Sequence, residues 1–79
     1  MPDFKFAVVL EVFEQMSLVG DRWERVFKPV TVNLCRDEVE AEVSLAVLRQ
    51  DNRLHNPAGN SRDYRHSWVE EYPGGKRVL

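Results

Sequence analysis

Alternating apolar and polar residues open the chain and predict a β-strand in residues 4–14, FKFAVVLEVFE. Successive strand side chains point to opposite faces, so a period of two indicates a strand. The residues of one parity are all apolar: Phe4, Phe6, Val8, Leu10 and Val12. The other parity places Val9 and Phe13 beside charged residues. Because both faces carry apolar side chains, we expect this strand at the centre of a sheet or covered on both sides.

A second strand is predicted in residues 22–34, after a turn in the segment MSLVGD that contains Gly20 and Asp21. One parity, expected to face the core, comprises Val26, Val30, Val32 and Leu34. The opposite parity comprises Trp23, Arg25, Phe27 and Thr31. Pro29 has no amide hydrogen to donate to a neighbouring strand, so we expect this strand at an edge of the sheet or bulged there.

The strongest helix signal begins at Asp37, whose carboxylate can cap the first turn, and Glu40 completes a capping box. The helix is expected to run to about Gln50, or as far as Leu54, before Asn56 and Pro57 end it. Its spacing gives two apolar sides. The side predicted to pack on the core is Val39, Val43, Ala46 and Val47. The side predicted to be surplus is Ala41, Leu45 and Leu48.

A third strand is predicted in residues 63–72, and residues 76–79 could add a short fourth. The order strand–strand–helix–strand indicates an α+β fold: a two-layer sandwich of a mainly antiparallel sheet with one helix on one face. The β-grasp arrangement is one candidate among several small folds with this order. The length of 79 residues predicts a single small domain spanning residues 1–79.

Composition favours a soluble globular protein, with 43% hydrophobic and 30% charged residues. One unpaired cysteine and no Asn-x-Ser/Thr sequon favour the cytoplasm. No stretch has the length of a transmembrane helix or the pattern of a signal peptide, so we expect no membrane association. Cys35 is the one cysteine, so no internal disulfide can form. With only His55 and His66 to join it, we expect no metal site and no cofactor. A small enzyme built on Cys35 and a histidine is an alternative, but no nucleophile signature surrounds these residues.

A second alternative is a nucleic-acid-binding module in the segment 49–68, because arginines grip phosphates and aromatic rings stack on bases. The residues that would bind are Arg49, Arg53, Arg62, Tyr64, Arg65 and Trp68. Asp51 and Asp63 interrupt this segment, and the whole chain has a net charge of −2. Both facts weigh against a nucleic-acid partner.

Gly74 and Gly75 favour a tight turn between two short strands, in which glycine supplies a positive φ. Lys76 follows them, but Arg77 stands where a phosphate-binding loop requires Ser or Thr. The glycine pair also resembles the diglycine ending of ubiquitin-like proteins and sulfur carriers. That resemblance implies a carrier function, and it requires removal of residues 76–79.

Excess apolar surface leads to the functional prediction. One helix can cover one face of the sheet, and an exposed apolar patch marks a binding surface. A loop spanning residues 51–62 could cover the open face instead. The predicted partner-binding residues are Val9, Phe13, Trp23, Arg25, Phe27, Leu45 and Leu48. We therefore expect a non-enzymatic interaction protein that homodimerises or docks on a larger assembly as an adaptor or inhibitor, of the kind encoded by bacterial and phage genomes.

Overall fold

A three-stranded antiparallel sheet and one helix make up the fold of the residues that the structure describes. The computed structural model describes residues 3–55 and 64–79, with side chains described for 3–51 and 64–79. The elements are β1 (Phe6–Val19), β2 (Arg22–Cys35), α1 (Glu38–His55) and β3 (Tyr64–Glu71). The strand order is β2-β1-β3, and both neighbouring pairs are antiparallel. The predicted α+β class with ββαβ order is confirmed.

Strand β1 occupies the centre of the sheet, as its two apolar faces predict. Four consecutive residues, Ala7 to Leu10, are buried, so both faces of the sheet are covered at this point. Strand β2 is an edge strand, in agreement with Pro29. The two outer strands run parallel to each other and antiparallel to β1. Consequently β1 and β3 are not the parallel neighbours of a β-grasp sheet.

A bulge in β2 changes which of its residues face the helix. Val8 pairs with Asn33 and Val9 with Thr31, which leaves Val32 as an extra residue. Such a bulge reverses the alternation of side chains beyond it. Cys35 accordingly joins the core, whereas Val32, predicted to face the core, is exposed.

The helix begins where Asp37 caps it. The Glu40 amide donates to Asp37 Oδ1 at 2.8 Å, and the Ala41 amide donates to the Asp37 carbonyl oxygen at 3.1 Å. The Glu40 carboxylate accepts from the amide of Arg36 at 3.0 Å. The bond from Glu40 to Asp37 Oδ1 satisfies one of the amides that a helix N-terminus leaves unpaired. The predicted helix start is therefore confirmed, with the reciprocal bond made one residue earlier than in a standard capping box.

Asp37→Ala should destabilise the domain by roughly 0.5–2 kcal/mol, because the Glu40 amide loses its acceptor. Urea denaturation followed by circular dichroism measures the change. Asp37→Asn is the control, since asparagine also caps helices well and should recover most of the loss. An unchanged midpoint in the alanine variant would show that the cap contributes nothing.

The helix packs on the sheet with the side opposite to the one predicted. Ala41 and Leu45 are buried in a core cluster with Val8, Cys35 and Val69, and Leu48 packs against this cluster. The predicted core residues Val39, Val43, Ala46 and Val47 are all exposed. Two polar contacts hold the helix in this orientation: Asn33 Nδ2 donates to Ser44 Oγ at 2.9 Å, and Arg49 donates to the Ser67 carbonyl oxygen at 2.8 Å.

The first two strands form a hairpin much longer than predicted. Both contain 14 residues, and the molecule is 49 Å in its longest dimension. The turn is confined to Gly20 and Asp21, so the prediction that the whole segment MSLVGD is a turn is wrong. Gly20 has φ = +64°, and no non-glycine residue among those described has a positive φ. A two-residue loop with positive φ at its first position corresponds to a type II′ turn.

The chain after β3 folds back along this strand through the predicted glycine turn. The Gly75 amide donates to the Glu71 carbonyl oxygen at 2.7 Å, and Gly75 has φ = +83°. Val69 and Leu79 then exchange backbone hydrogen bonds at 3.2 Å. The predicted hairpin turn is confirmed. Residues 76–79 carry Leu79, which packs against the core, so a carrier ending at Gly75 would lose that contact.

In the part of the chain that the structure describes, no helix is long and apolar enough to cross a membrane.

Candidate protein-interaction surface

The far half of the β1–β2 hairpin projects beyond the rest of the sheet as a two-stranded arm, residues 14–19 and 22–26. Pairing of β1 with β3 ends at Val12 and Tyr64, so further along β1 is paired with β2 alone among the described residues. No arm residue belongs to the core cluster found in the described part of the chain. The sheet therefore has a three-stranded body, covered by α1, and an arm.

One face of the arm is apolar. Leu18 lies directly opposite Trp23, and Met16 lies opposite Arg25. Residues two apart on a strand share a face, so these four side chains form one surface, which we call the arm face. Trp23 is 66% exposed, Leu18 56% and Met16 46%. Single exposed apolar residues are ordinary, but three adjacent ones that include a tryptophan are typical of a binding surface.

The arm face continues into an aromatic pair at the base of the arm. Phe13 and Phe27 are cross-strand partners, with ring centroids 6.1 Å apart and planes at 77°. The guanidinium carbon of Arg65 lies 4.5 Å from the centroid of the Phe27 ring. Edge-to-face ring pairs and a cation over a ring face both stabilise such a cluster. Trp23 and Phe27 share a face as predicted, and Trp23 lies across from Leu18.

A bulge in β3 brings two side chains of that strand onto one carboxylate of β1. Leu10 pairs with Ser67 and Val12 with Tyr64, so Glu11 faces both Arg65 and His66. Arg65 donates to Glu11 Oε2 at 2.9 Å, and His66 Nδ1 lies 2.9 Å from Glu11 Oε1. The predicted alternation of the third strand does not contain this bulge. The cluster attaches the aromatic pair at the base of the arm to the body of the sheet.

Arg65 holds the pKa of the Glu11 carboxyl below its ordinary value. The hydrogen bond from Arg65 has the largest effect on this pKa. Burial of the carboxyl raises the pKa, and the hydrogen bond with His66 lowers it further. A lowered pKa in the folded state means that the unfolded chain binds this proton more readily. The stabilisation is therefore fully present above the ordinary pKa of 4.5 and is lost as the pH falls through the lower folded value.

Glu11→Gln should consequently lower the free energy of unfolding at neutral pH, and the difference from the wild type should shrink as the pH falls below about 4.5. Urea denaturation across this range measures it. In an Arg65→Gln background the same substitution should have a smaller effect, because the stronger partner is absent. A difference that stayed constant with pH would contradict the role of this ion pair.

The structure separates the seven predicted partner-binding residues. Trp23 and Arg25 are exposed on the arm face, and Phe13 and Phe27 are partly buried at its base. Val9, predicted to be exposed, is buried, because it lies on the central strand between Thr31 and the large side chain of Trp68. The prediction for the helix is also wrong: Leu45 is buried in the core and Leu48 is partly buried against it. Met16 and Leu18, which lie in the segment predicted to contain the turn, complete the arm face.

The residues of the nucleic-acid alternative are engaged within the chain where they are described. Arg49 contacts Ser67, and Arg65 pairs with Glu11. Trp68 Nε1 donates to Glu70 at 3.0 Å, and Arg77 lies over its ring. Tyr64 is exposed and also makes an interaction within the chain. The side chain of Arg53, the residue Arg62 and most of the predicted covering loop lie outside the described residues.

Cys35 lies in the core, in agreement with a structural role at the junction of strand and helix. It is fully buried. Burial has the largest effect in raising the pKa of its thiol, and the nearby Glu40 carboxylate raises it further. A raised pKa disfavours the thiolate that nucleophilic chemistry requires. Asn33 Nδ2 lies 3.7 Å from its sulfur, and His66 pairs instead with Glu11. Within residues whose side chains are described, no group of His, Cys, Asp and Glu is arranged to hold a metal ion.

Comparison of the chain with protein-family models, with curated proteins and with solved structures found no significant match.

Proposed function

We propose that this chain is a non-enzymatic protein-interaction module that acts in the cytoplasm and binds a protein partner through the arm face. The observation that supports this proposal is the exposure of Trp23, Leu18 and Met16 together on an arm that extends beyond the core. In this proposal the compact body anchors the arm, and the arm docks on the partner as an adaptor or an inhibitor would.

The marginal stability of a two-stranded arm is a reason to expect a bound partner. An isolated two-stranded hairpin is marginally stable in water, and three strands or a packed face are usually needed. The type II′ turn and the ladder keep the arm paired, but its apolar side chains gain little from one another while they remain in water. A partner that covers the arm face would bury them and supply the missing layer.

The composition of the arm face also suits a protein partner. Tryptophan and arginine are enriched among the residues that dominate protein interfaces, and methionine adapts to irregular surfaces. Trp23 stands beside Arg25 on the same strand face, so an apolar anchor and a fixed positive charge are presented together. Such a pair can provide both the affinity and the orientation of a complex.

Shortening the arm tests the proposal. Deletion of residues 16–19 and 22–25 leaves the Gly20–Asp21 turn between Gln15 and Val26, which are cross-strand partners. The Gln15–Val26 pair lies four residues along each strand from the Val19–Arg22 pair that flanks the turn. Pair types alternate along an antiparallel ladder, so both pairs are of the same type and the shortened strands can be joined by the same turn. The variant should fold as the wild type does, and it should lose association with itself and capture of proteins from the native host.

The matched control substitutes the exposed valines of the helix, Val39, Val43 and Val47, by alanine. These side chains are also apolar and accessible, and alanine favours helix. The control should retain all association. If the control lost association and the shortened arm retained it, the binding surface would be the helix and the proposal would be wrong.

A further inference from the structure

The charges at the tip of the arm are antisymmetric about Trp23. The sequence reads Asp21, Arg22, Trp23, Glu24, Arg25, so the residues at equal distances before and after Trp23 have opposite charge. Arg22 and Glu24 share one face of the arm, where their side chains are 3.9 Å apart, 79% and 51% exposed. Surface pairs of this kind contribute little by themselves. Their charges therefore remain available to a partner.

Strand β2 offers its outer edge to such a partner. It is an edge strand of the sheet, and an edge strand presents backbone groups that can pair with another strand. When two identical strands pair antiparallel about a two-fold axis, residues equally distant from the axis lie opposite each other. An axis at Trp23 would place Arg22 opposite Glu24 of the second copy, whereas Asp21 lies in the turn beyond the end of β2.

We propose that the arm binds a second copy of this chain by antiparallel pairing of the two β2 edges, with the two-fold axis at Trp23. This inference rests on the proposed function, since it names a second copy of the chain as a protein partner of the arm. Edge pairing joins the two sheets side by side, so Met16 and Leu18 stay on the open face of the joined sheet. The two Trp23 side chains meet at the axis on the arm face. Two Arg22–Glu24 pairs flank them on the other face, and opposite charges across strands stabilise a ladder.

The same charges disfavour pairing of the two β2 strands in the neighbouring registers. An axis at Arg22 would place that side chain against its own copy, and an axis at Glu24 or Arg25 would do the same for those residues. Like charges directly opposite each other destabilise a sheet. Of the four consecutive centres from Arg22 to Arg25, the one at Trp23 alone avoids a like-charged pair at the axis. The pattern thus favours one register and disfavours the adjacent ones.

The overlap is short, because few residues on either side of Trp23 can pair before the turn. Interfaces that bury less than about 1,200 Å² are typical of weak or transient complexes. We therefore expect a reversible dimer that forms at high protein concentration. Added salt should weaken the dimer, because the flanking pairs are exposed to solvent.

Charge reversal tests the register by sedimentation velocity over a range of concentrations. Arg22→Glu and Glu24→Arg should each weaken self-association by about tenfold or more, because each creates two like-charged pairs across the axis. The double variant restores opposite charges and should dimerise as the wild type does. An equimolar mixture of the two single variants, one carrying a fluorescent label, should form a heterodimer tighter than either homodimer.

Three results would overturn the inference: a wild type that stays monomeric to millimolar concentration, single variants that associate as well as the wild type, or a mixture without heterodimer. Circular dichroism confirms that the variants fold. If the wild type is monomeric and the shortened arm still loses capture of a different protein, the proposed function stands and self-pairing fails. If the shortened arm also captures that protein normally, both fail.

Discussion

Leu45→Ala is expected to destabilise the protein by about 2–5 kcal/mol, enough to unfold a large fraction of it at room temperature. Leu45 is 5% exposed and contacts the cluster that joins the helix to β1, β2 and β3. Truncation removes the transfer free energy of its buried atoms and leaves a cavity that the core fills only in part. Because the core of a domain of this size supplies little more than ~3–5 kcal/mol of net stability, one such loss is comparable with the whole.

Val43→Ala is the matched control, two residues away on the same helix. Its side chain is 58% exposed, so truncation creates no cavity. Alanine is also the better helix former, and the free energy of unfolding should change by no more than about 0.5 kcal/mol. Urea denaturation of both variants compares them directly. Equal losses would mean that the helix does not pack through Leu45, and a larger loss for Val43→Ala would favour the opposite face.

The elements themselves follow from local features of the sequence. Asp37 begins the helix through bonds that need only its own neighbours, and Gly20 and Gly75 occupy the positive-φ positions of two turns. The central position of β1 follows from its two apolar faces, and the edge position of β2 from Pro29. Each of these signals acts within a few residues, so the element can be predicted from the sequence alone.

The face that the helix buries could not be predicted in this way. The helix has two apolar sides, and a period of 3.6 residues cannot choose between them. Packing decides the choice: Ala41 and Cys35 are small and fully buried where helix meets sheet, and small side chains permit a close approach. The longer side chain of Leu45 then reaches the cluster, and the stiff valines remain outside.

The length of the arm could not be predicted from its turn signal. Met16 and Leu18 alternate with Gln15 and Ser17, which is a strand signal, but Gly20 and Asp21 do not indicate how close to the turn the two strands extend. The bulge that joins Glu11 to Arg65 and His66 has no comparable signal. Those residues are separated by more than 50 positions along the chain, and the register of β3 on β1 follows from the packing of the whole sheet.

Trp23→Ala should weaken association through the arm by at least ~2 kcal/mol, roughly a 30-fold rise in dissociation constant, because a tryptophan at the centre of an interface contributes much of its binding energy. The isolated fold should lose much less. Trp23 is 66% exposed, so its truncation leaves no cavity and costs the monomer only the cross-strand contact with Leu18, about 0.2–1 kcal/mol.

The two effects are measured on one variant, with sedimentation velocity for association and urea denaturation for stability. Val39→Ala is the control, since Val39 is equally exposed at 67% but lies on the helix; it should change neither quantity appreciably. A buried tryptophan would give the reverse result, a large drop in the denaturation midpoint with normal binding by the folded fraction. Val9 and Leu45, two other predicted partner residues, are buried and cannot replace the Trp23 anchor. Association that Trp23→Ala did not weaken would therefore have to come from a surface other than the arm.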